Sequence, residues 1–336
     1  YLINQNKDKN TPNNFTYAFE QNKKDIIWIG TNQGLYRFNR RNGAYQRFFH
    51  TTGDSNCLSD NRIRTLYFDS EGYLWIGTYN GLNKFDIHTK SFKVFKNNPY
   101  DENSLSNDFI TVIEEFPVGI LWIGTNGGGL NRLDIKRNKF TRYTADSTFN
   151  NPLSSDRIFE IHADKQGFIW LGTYGGGLNR LNAESGDLKI YNYQKNNINS
   201  ISGNYIYSIH EESDSVFWIG MYGAGLNRFN PLTEKFVNFN QIETLKNILV
   251  YGILEDGKKR LWMSTNHGLI CFDPNAEDQS KKIKRYDIKD GLQSTEFNFG
   301  AYHQNEQGEM IFGGVNGFNI FHPDSIADNL YKACLL

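Results

Sequence analysis

The chain has 336 residues, with 36 Lys and Arg against 37 Asp and Glu; a net charge of −1 excludes any broad electrostatic attraction to nucleic acid or anionic membranes. Aromatic residues make up 15% and 31 Gly stand against 7 Pro, a balance that favours many short strands joined by tight turns. No apolar run reaches the roughly 18–20 residues needed to span a bilayer, and Cys57, Cys271 and Cys334 lie too far apart for a disulfide framework or a zinc site.

The opening YLINQN reads as the middle of a longer protein, so any targeting sequence is expected outside this chain. The first strong element follows at IWIGTNQGL, around Trp28, and it recurs as LWIGTYNGL, LWIGTNGGGL, IWLGTYGGGL, FWIGMYGAGL and LWMSTNHGL around Trp75, Trp122, Trp170, Trp218 and Trp262. These are all six tryptophans, spaced 47, 47, 48, 48 and 44 residues apart, and MIFGGVNGFNIF supplies a seventh copy with Ile311 at the tryptophan position. One glycine-rich turn after a strand, such as that at Gly127–Gly129, is a candidate phosphate cradle. Seven copies at one period are an architectural turn.

Each unit reads as four strands. An inner strand begins at Ile63, Ile110, Ile158, Ile206 or Val250, twelve residues before the tryptophan, and is followed by the tryptophan strand, a glycine turn and a GLNRF-type strand. An alternating outer strand such as SFKVFK or KFTRYT closes the unit, its Lys and Arg guarding the edge against pairing with other sheets. Four strands per 40–50 residues predict the blades of an all-β, seven-bladed propeller. The tryptophans are expected between blades, with the glycine two residues later leaving room for a neighbouring side chain. Tyr1 lies 27 residues before Trp28, in register with Phe48, Phe95, Tyr143 and Tyr191 before their own tryptophans. The N-terminal residues are therefore expected to supply the fourth strand of blade seven and close the ring. Residues 1–326 form the propeller on this reading, and 327–336 begin a linker or a following immunoglobulin-like domain.

The repeat [IL]WIGT-x-[GN]-GLNRFD, with CLSDNRI, SLSNDFI, PLSSDRI and SISGNYI after the outer strands, resembles the two-component regulator propeller repeat of the periplasmic sensor region of Bacteroidetes hybrid two-component systems. The resemblance implies a periplasmic ligand-sensing propeller, preceded by another propeller, followed by an immunoglobulin-like domain, and dimeric in the full-length histidine kinase. It implies an oligosaccharide as the ligand. No nucleophile elbow, HExxH or calcium loop is present, and the seven histidines show no ligand clustering, so neither catalysis, a metal nor a cofactor is expected. A propeller glycoside hydrolase or lyase, or a protein–protein interaction scaffold, remain as the other readings, because propellers assemble sites from distant segments.

Up-and-down blades put the glycine turns and the blade-to-blade loops on one face. That face carries Asn32, Tyr79, Asn126, Tyr174, Tyr222, Asn266 and Val315, each four residues after the tryptophan position, and Asn61, Asp108, Asp156 and Asn204, whose side chains suit loop capping. Tyrosine beside glycine suits either stacking on a sugar or packing on a neighbouring loop. Arg62 and Arg157 point to the channel mouth or a blade interface, to meet acidic sugars or to pair with carboxylates. The candidate ligand-binding set is thus Tyr79, Asn126, Tyr174, Tyr222, Arg62 and Arg157.

Overall fold

The computed structural model describes residues 15–146, 151–278 and 282–326. They form seven antiparallel meanders, six of four strands and one of three, each in sequential order from the centre outwards. Blade one runs Thr16–Lys23, Ile26–Thr31, Gly34–Asn39 and Ala44–Phe48; blade seven runs Phe297–Gln304, Met310–Gly314 and Gly317–Phe321. Inner strands contact their neighbours all the way round, including the first against the last, so the ring is closed. Thr16 Oγ1 donates to the Gly317 carbonyl at 3.0 Å, Asn298 donates to the Thr16 carbonyl, and Arg40 forms a two-pronged pair with Glu309 across the same seam. The expected fourth strand from residues 1–4, like the boundary at 327, falls outside the described residues.

Burial follows from position within the blade. Tryptophan strands are buried along almost their whole length, whereas outer strands such as Ser91–Phe95 are exposed or half-exposed throughout. Trp170 is 1% exposed and lies against Phe217 and Phe229 of blade five, ring centres 5.1 and 5.6 Å away. Trp28 meets Phe85 of blade two, and Trp262 meets Phe321 of blade seven. A buried indole N–H needs an acceptor. Asp69, Asp164, Asp256 and Glu212, each six residues before a tryptophan, accept from Trp75, Trp170, Trp262 and Trp218, and the Phe116 carbonyl accepts from Trp122.

The small residue after the tryptophan is a spacer. A Cβ on Gly77 would lie 2.7 Å from Ile110 Cγ2 of blade three, and Gly124 and Gly172 face Ile158 and Ile206 in the same way. Blade six carries Ser264 here and places Gly252 on the paired inner strand instead, where the Tyr302 ring covers it.

Two kinds of asparagine contact, one buried and one on the outside, fasten the blade-to-blade loops of several blades. Asn83, Asn131, Asn179 and Asn227, all 0% exposed, accept from the backbone N–H of Ser59, Ser106, Ser154 and Ser202, and donate to the same hydroxyls. The residue just before each of these serines, Leu58, Leu105, Leu153 or Ile201, is buried. On the outside, Asn56 and Asn103 in the blade-to-blade loops accept from Phe92 N and Phe140 N, 2.8 Å each, and Asn56, Asn103 and Asn151 donate to the carbonyls of Lys90, Asn138 and Gly186. The loops thereby cover part of each outer edge, adding to the protection its charges provide.

Candidate functional site

Glycine turns and blade-to-blade loops meet on one face, as the topology requires. Gly81 N donates to Asp108 O, Gly127 and Gly129 N to Asp156 O, and Gly175 and Gly177 N to Asn204 O. The side chains of Asn61, Asp108, Asp156 and Asn204 accept from the backbone N–H of His50, Asn97, Ala145 and Tyr193, closing each loop on itself. Their capping role is therefore structural.

At the centre of this face the inner strands start, and their second residues build a floor. Tyr207 stacks on Phe299 with ring centres 4.5 Å apart; Phe159 lies 5.3 Å from Phe299 and 5.3 Å from Tyr174. Arg64 of blade two crosses the channel: its guanidinium sits 4.3 Å above the Phe299 ring and donates to the Phe299 carbonyl at 2.7 Å. Burial lowers the Arg64 pKa, against the pull of Tyr79, Tyr17, Tyr207 and Glu160. Burial likewise lifts the Tyr207 hydroxyl to about 12, so it stays a neutral donor at physiological pH. Tyr251 donates to Glu296 at 2.7 Å beside it.

Above the floor stand the turn residues. Tyr174, Tyr205 and Tyr222 form a triangle with ring centres 4.7, 6.2 and 6.3 Å apart, and Tyr205 and Tyr222 are 42% and 43% exposed. Arg157 lies 4.6 Å over the Tyr174 ring and its Nε donates to Asn126 Oδ1 at 2.9 Å. Four of the six candidates, Asn126, Arg157, Tyr174 and Tyr222, therefore share one patch over blades three to five. Tyr79 and Arg62 form a second patch on blade two. There the Tyr79 ring is stacked on Phe109 at 4.0 Å, the Arg62 guanidinium lies 4.7 Å away, and Asp60 fills the arginine fork. Tyr222 and Tyr205 are thus the more exposed rings of the mouth. Tyr205, with Phe159, Tyr207, Tyr251 and Phe299 beneath it, escapes the sequence reading; its signal is the YIY of SISGNYIYSI, two aromatics where blade two has RIR.

Below the mouth the channel narrows again, where the Tyr302 hydroxyl reaches from blade seven to Glu160 of blade four at 3.4 Å. Burial raises all three carboxyls here, Glu20 to about 8, Glu114 to about 7 and Glu160 well above the ordinary range; the charge of Glu114 adds to the shift of Glu20 and Glu160, and that of Glu115 to the shift of Glu114. Further round, His162 Nε2 meets Glu211 of the next blade at 2.6 Å, and His210 stands 3.6 Å from Glu255 of the blade after. The shared position of these histidines is an inter-blade pairing. No group of three or more His, Cys, Asp or Glu suited to hold a metal occurs among the described residues. No helix of the described residues is long and apolar enough to cross a membrane.

Six four-strand units and one of three strands, in sequential order around a closed ring, define a seven-bladed β-propeller. Two-component regulator propeller is the family whose model matches, at residues 57–80 and 152–175. A curated histidine kinase of Formosa agariphila is 39% identical over 83 residues, 25% of this chain and 6% of that protein. The extracellular domains of two hybrid two-component systems of B. thetaiotaomicron share the fold, with TM-scores of 0.76 and 0.72, each at 23% identity. They are matched over 92% and 93% of this chain and 40% and 41% of their own. A virginiamycin B lyase of Staphylococcus aureus has the same fold at 17% identity and a TM-score of 0.65, over 91% of this chain and 93% of the lyase. The chain thus spans well under half the length of its sensor-type relatives.

Proposed function

We propose that this propeller is the extracytoplasmic, periplasmic ligand-sensing module of a hybrid two-component signalling protein, responding to an oligosaccharide and catalysing nothing itself. The observation that carries the reading is the mouth: Tyr205 and Tyr222 present exposed rings beside Asn126 and Arg157, over a rigid aromatic floor. A sugar ring has apolar faces and polar edges, and such a site offers aromatic surface for the first and directed donors for the second. The similarity to extracellular two-component domains supports the signalling context, and the lyase shares only the fold.

A ligand across blades three to five would favour one arrangement of this propeller against its neighbours: a preceding propeller, a following immunoglobulin-like domain and a second copy in a dimer. It shifts that equilibrium only by its affinity difference between the two arrangements. The test is a thermal-shift and glycan-array screen of the longer sensor region, with product analysis of every binder. Saturable binding without turnover supports the proposal. Steady release of new reducing ends, abolished by one carboxylate substitution, would make the protein an enzyme, and binding confined to protein partners would make it a scaffold.

A further inference from the structure

The repeat places an equivalent Arg–Tyr–aromatic unit in blades two and four, the two rings stacked in blade two and edge-on in blade four. In blade two, Tyr79 lies between Arg62 and Phe109; in blade four, Tyr174 lies between Arg157 and Tyr205. The backbone agrees as well, Tyr79 N donating to Arg62 O and Tyr174 N to Arg157 O. The units differ in what fills the arginine fork. Asp60, two residues before Arg62, takes Nε at 3.0 Å and Nη2 at 2.7 Å. Its counterpart before Arg157 is Ser155, whose hydroxyl instead donates to the Tyr174 carbonyl and accepts from Arg157 N.

Arg157 is consequently held by a ring face and by Asn126 at Nε, while no carboxylate pairs with it among the described residues. Nearby Asp156 accepts from Ala145 N, and Glu296 takes the Tyr251 hydroxyl. A guanidinium fixed on an aromatic face loses little freedom on binding an oxyanion, and its planar donors match a carboxylate. Blade two shows the filled state of that same device.

Resting on the oligosaccharide reading above, we propose that Arg157 receives a carboxylate of the ligand, so that the mouth selects uronate-containing saccharides over neutral ones. The uronate ring then lies toward Tyr205 and Tyr222. The experiment is calorimetric titration of the protein with trisaccharides of galacturonate, glucuronate, mannuronate and guluronate, alongside the carboxyl-reduced form of each and sulfated forms of the reduced sugars. At least one uronate should bind about tenfold or more tightly than its reduced form, the scale expected of a charge-assisted pair. Arg157→Gln should erase that preference, so that uronate and reduced forms bind alike, and Arg157→Lys should retain only part of it; melting curves check that both variants fold. Equal affinity for uronate and reduced forms, a preference that survives Arg157→Gln, or binding of sulfated sugars alone would overturn the inference. If neutral sugars bind and Tyr222→Ala weakens them, the oligosaccharide reading stands without it; if no saccharide of either kind binds, both fall.

Discussion

Between blades four and five, Trp170 lies against Phe217 and Phe229 with its N–H on Asp164, and Asn179 of blade four is locked to Ser154 in the loop that enters it; a buried tryptophan recurs in the first six blades and the asparagine–serine lock in blades two to five. At the channel mouth the same two blades present Tyr174, Tyr205, Tyr207 and Tyr222, whereas the equivalent positions elsewhere vary, with Asn32, Tyr79, Asn126, Asn266 and Val315 at the turn and Tyr17, Arg64, Thr111 and Tyr251 below it. The seams need one solution repeated, because every blade must bury the same wedge against the next. The mouth carries a looser demand, since its residues meet across blades in pairings that differ from one blade to the next, and there the repeat diverges. Divergence at positions released from packing is where a specific ligand can be read.

The largest effect that separates the two regions should come from Trp170→Ala. Deleting a fully buried aromatic typically costs about 3–5 kcal/mol, so chemical denaturation should show a large loss of stability. Retention of the wild-type midpoint would break the wedge account. Next, Asn179→Ala should cost about 1–3 kcal/mol by removing a fully buried amide and leaving the half-buried Ser154 N–H and hydroxyl without their partner, again read by denaturation. The matching substitution at the mouth, Asn126→Ala, should cost far less because that side chain is half-exposed.

How much of this was legible follows from the same contrast. The tryptophan period, the four strands and the spacer glycine are visible because each recurs at fixed separation. The partnership of Asn179 with Ser154 is not: both letters recur, but only the fold brings the third strand of one blade against the loop that enters it. The tryptophan acceptors Asp69, Asp164 and Asp256 were visible as the ends of the inner strands, though nothing in the spacing assigned them an indole. At the site, the turn tyrosines and both arginines were legible as exceptions within a repeat. The closure of Arg62 by Asp60 was written in SDNR, but an i,i+2 pair has no fixed geometry until the loop folds. The floor of Phe159, Tyr207 and Phe299 was hidden because it is assembled across the channel from three blades.

A smaller effect concerns the channel interior, which belongs to neither class. Glu20 and Glu114 hold protons in the folded protein up to about pH 8 and 7, whereas the unfolded chain releases them near the ordinary carboxylate value. Folding stability should therefore fall as pH rises from about 4.5 to about 8 on their account, and level off above. Glu309, held down at about 2 by Arg40, acts oppositely: its stabilisation is present above about 4.5 and is lost as the pH falls toward 2. Glu114→Gln should raise the melting temperature at pH 8 more than at pH 5; an equal rise at both would disprove the channel's role in the pH profile. The smallest effect is expected of Asp60→Ser, which empties the second fork. Its melting temperature should move little, and any uronate that binds the wild type should gain a second, weaker site in calorimetry.

The most direct test of the division between seam and mouth is one variant measured two ways. Tyr222→Ala should leave stability within about 0.5 kcal/mol, as for an exposed turn residue. It should weaken an oligosaccharide identified by the screen by about tenfold, the loss of one aromatic contact surface. Unchanged affinity with an unchanged melting temperature would move the ligand away from blades three to five and contradict the account.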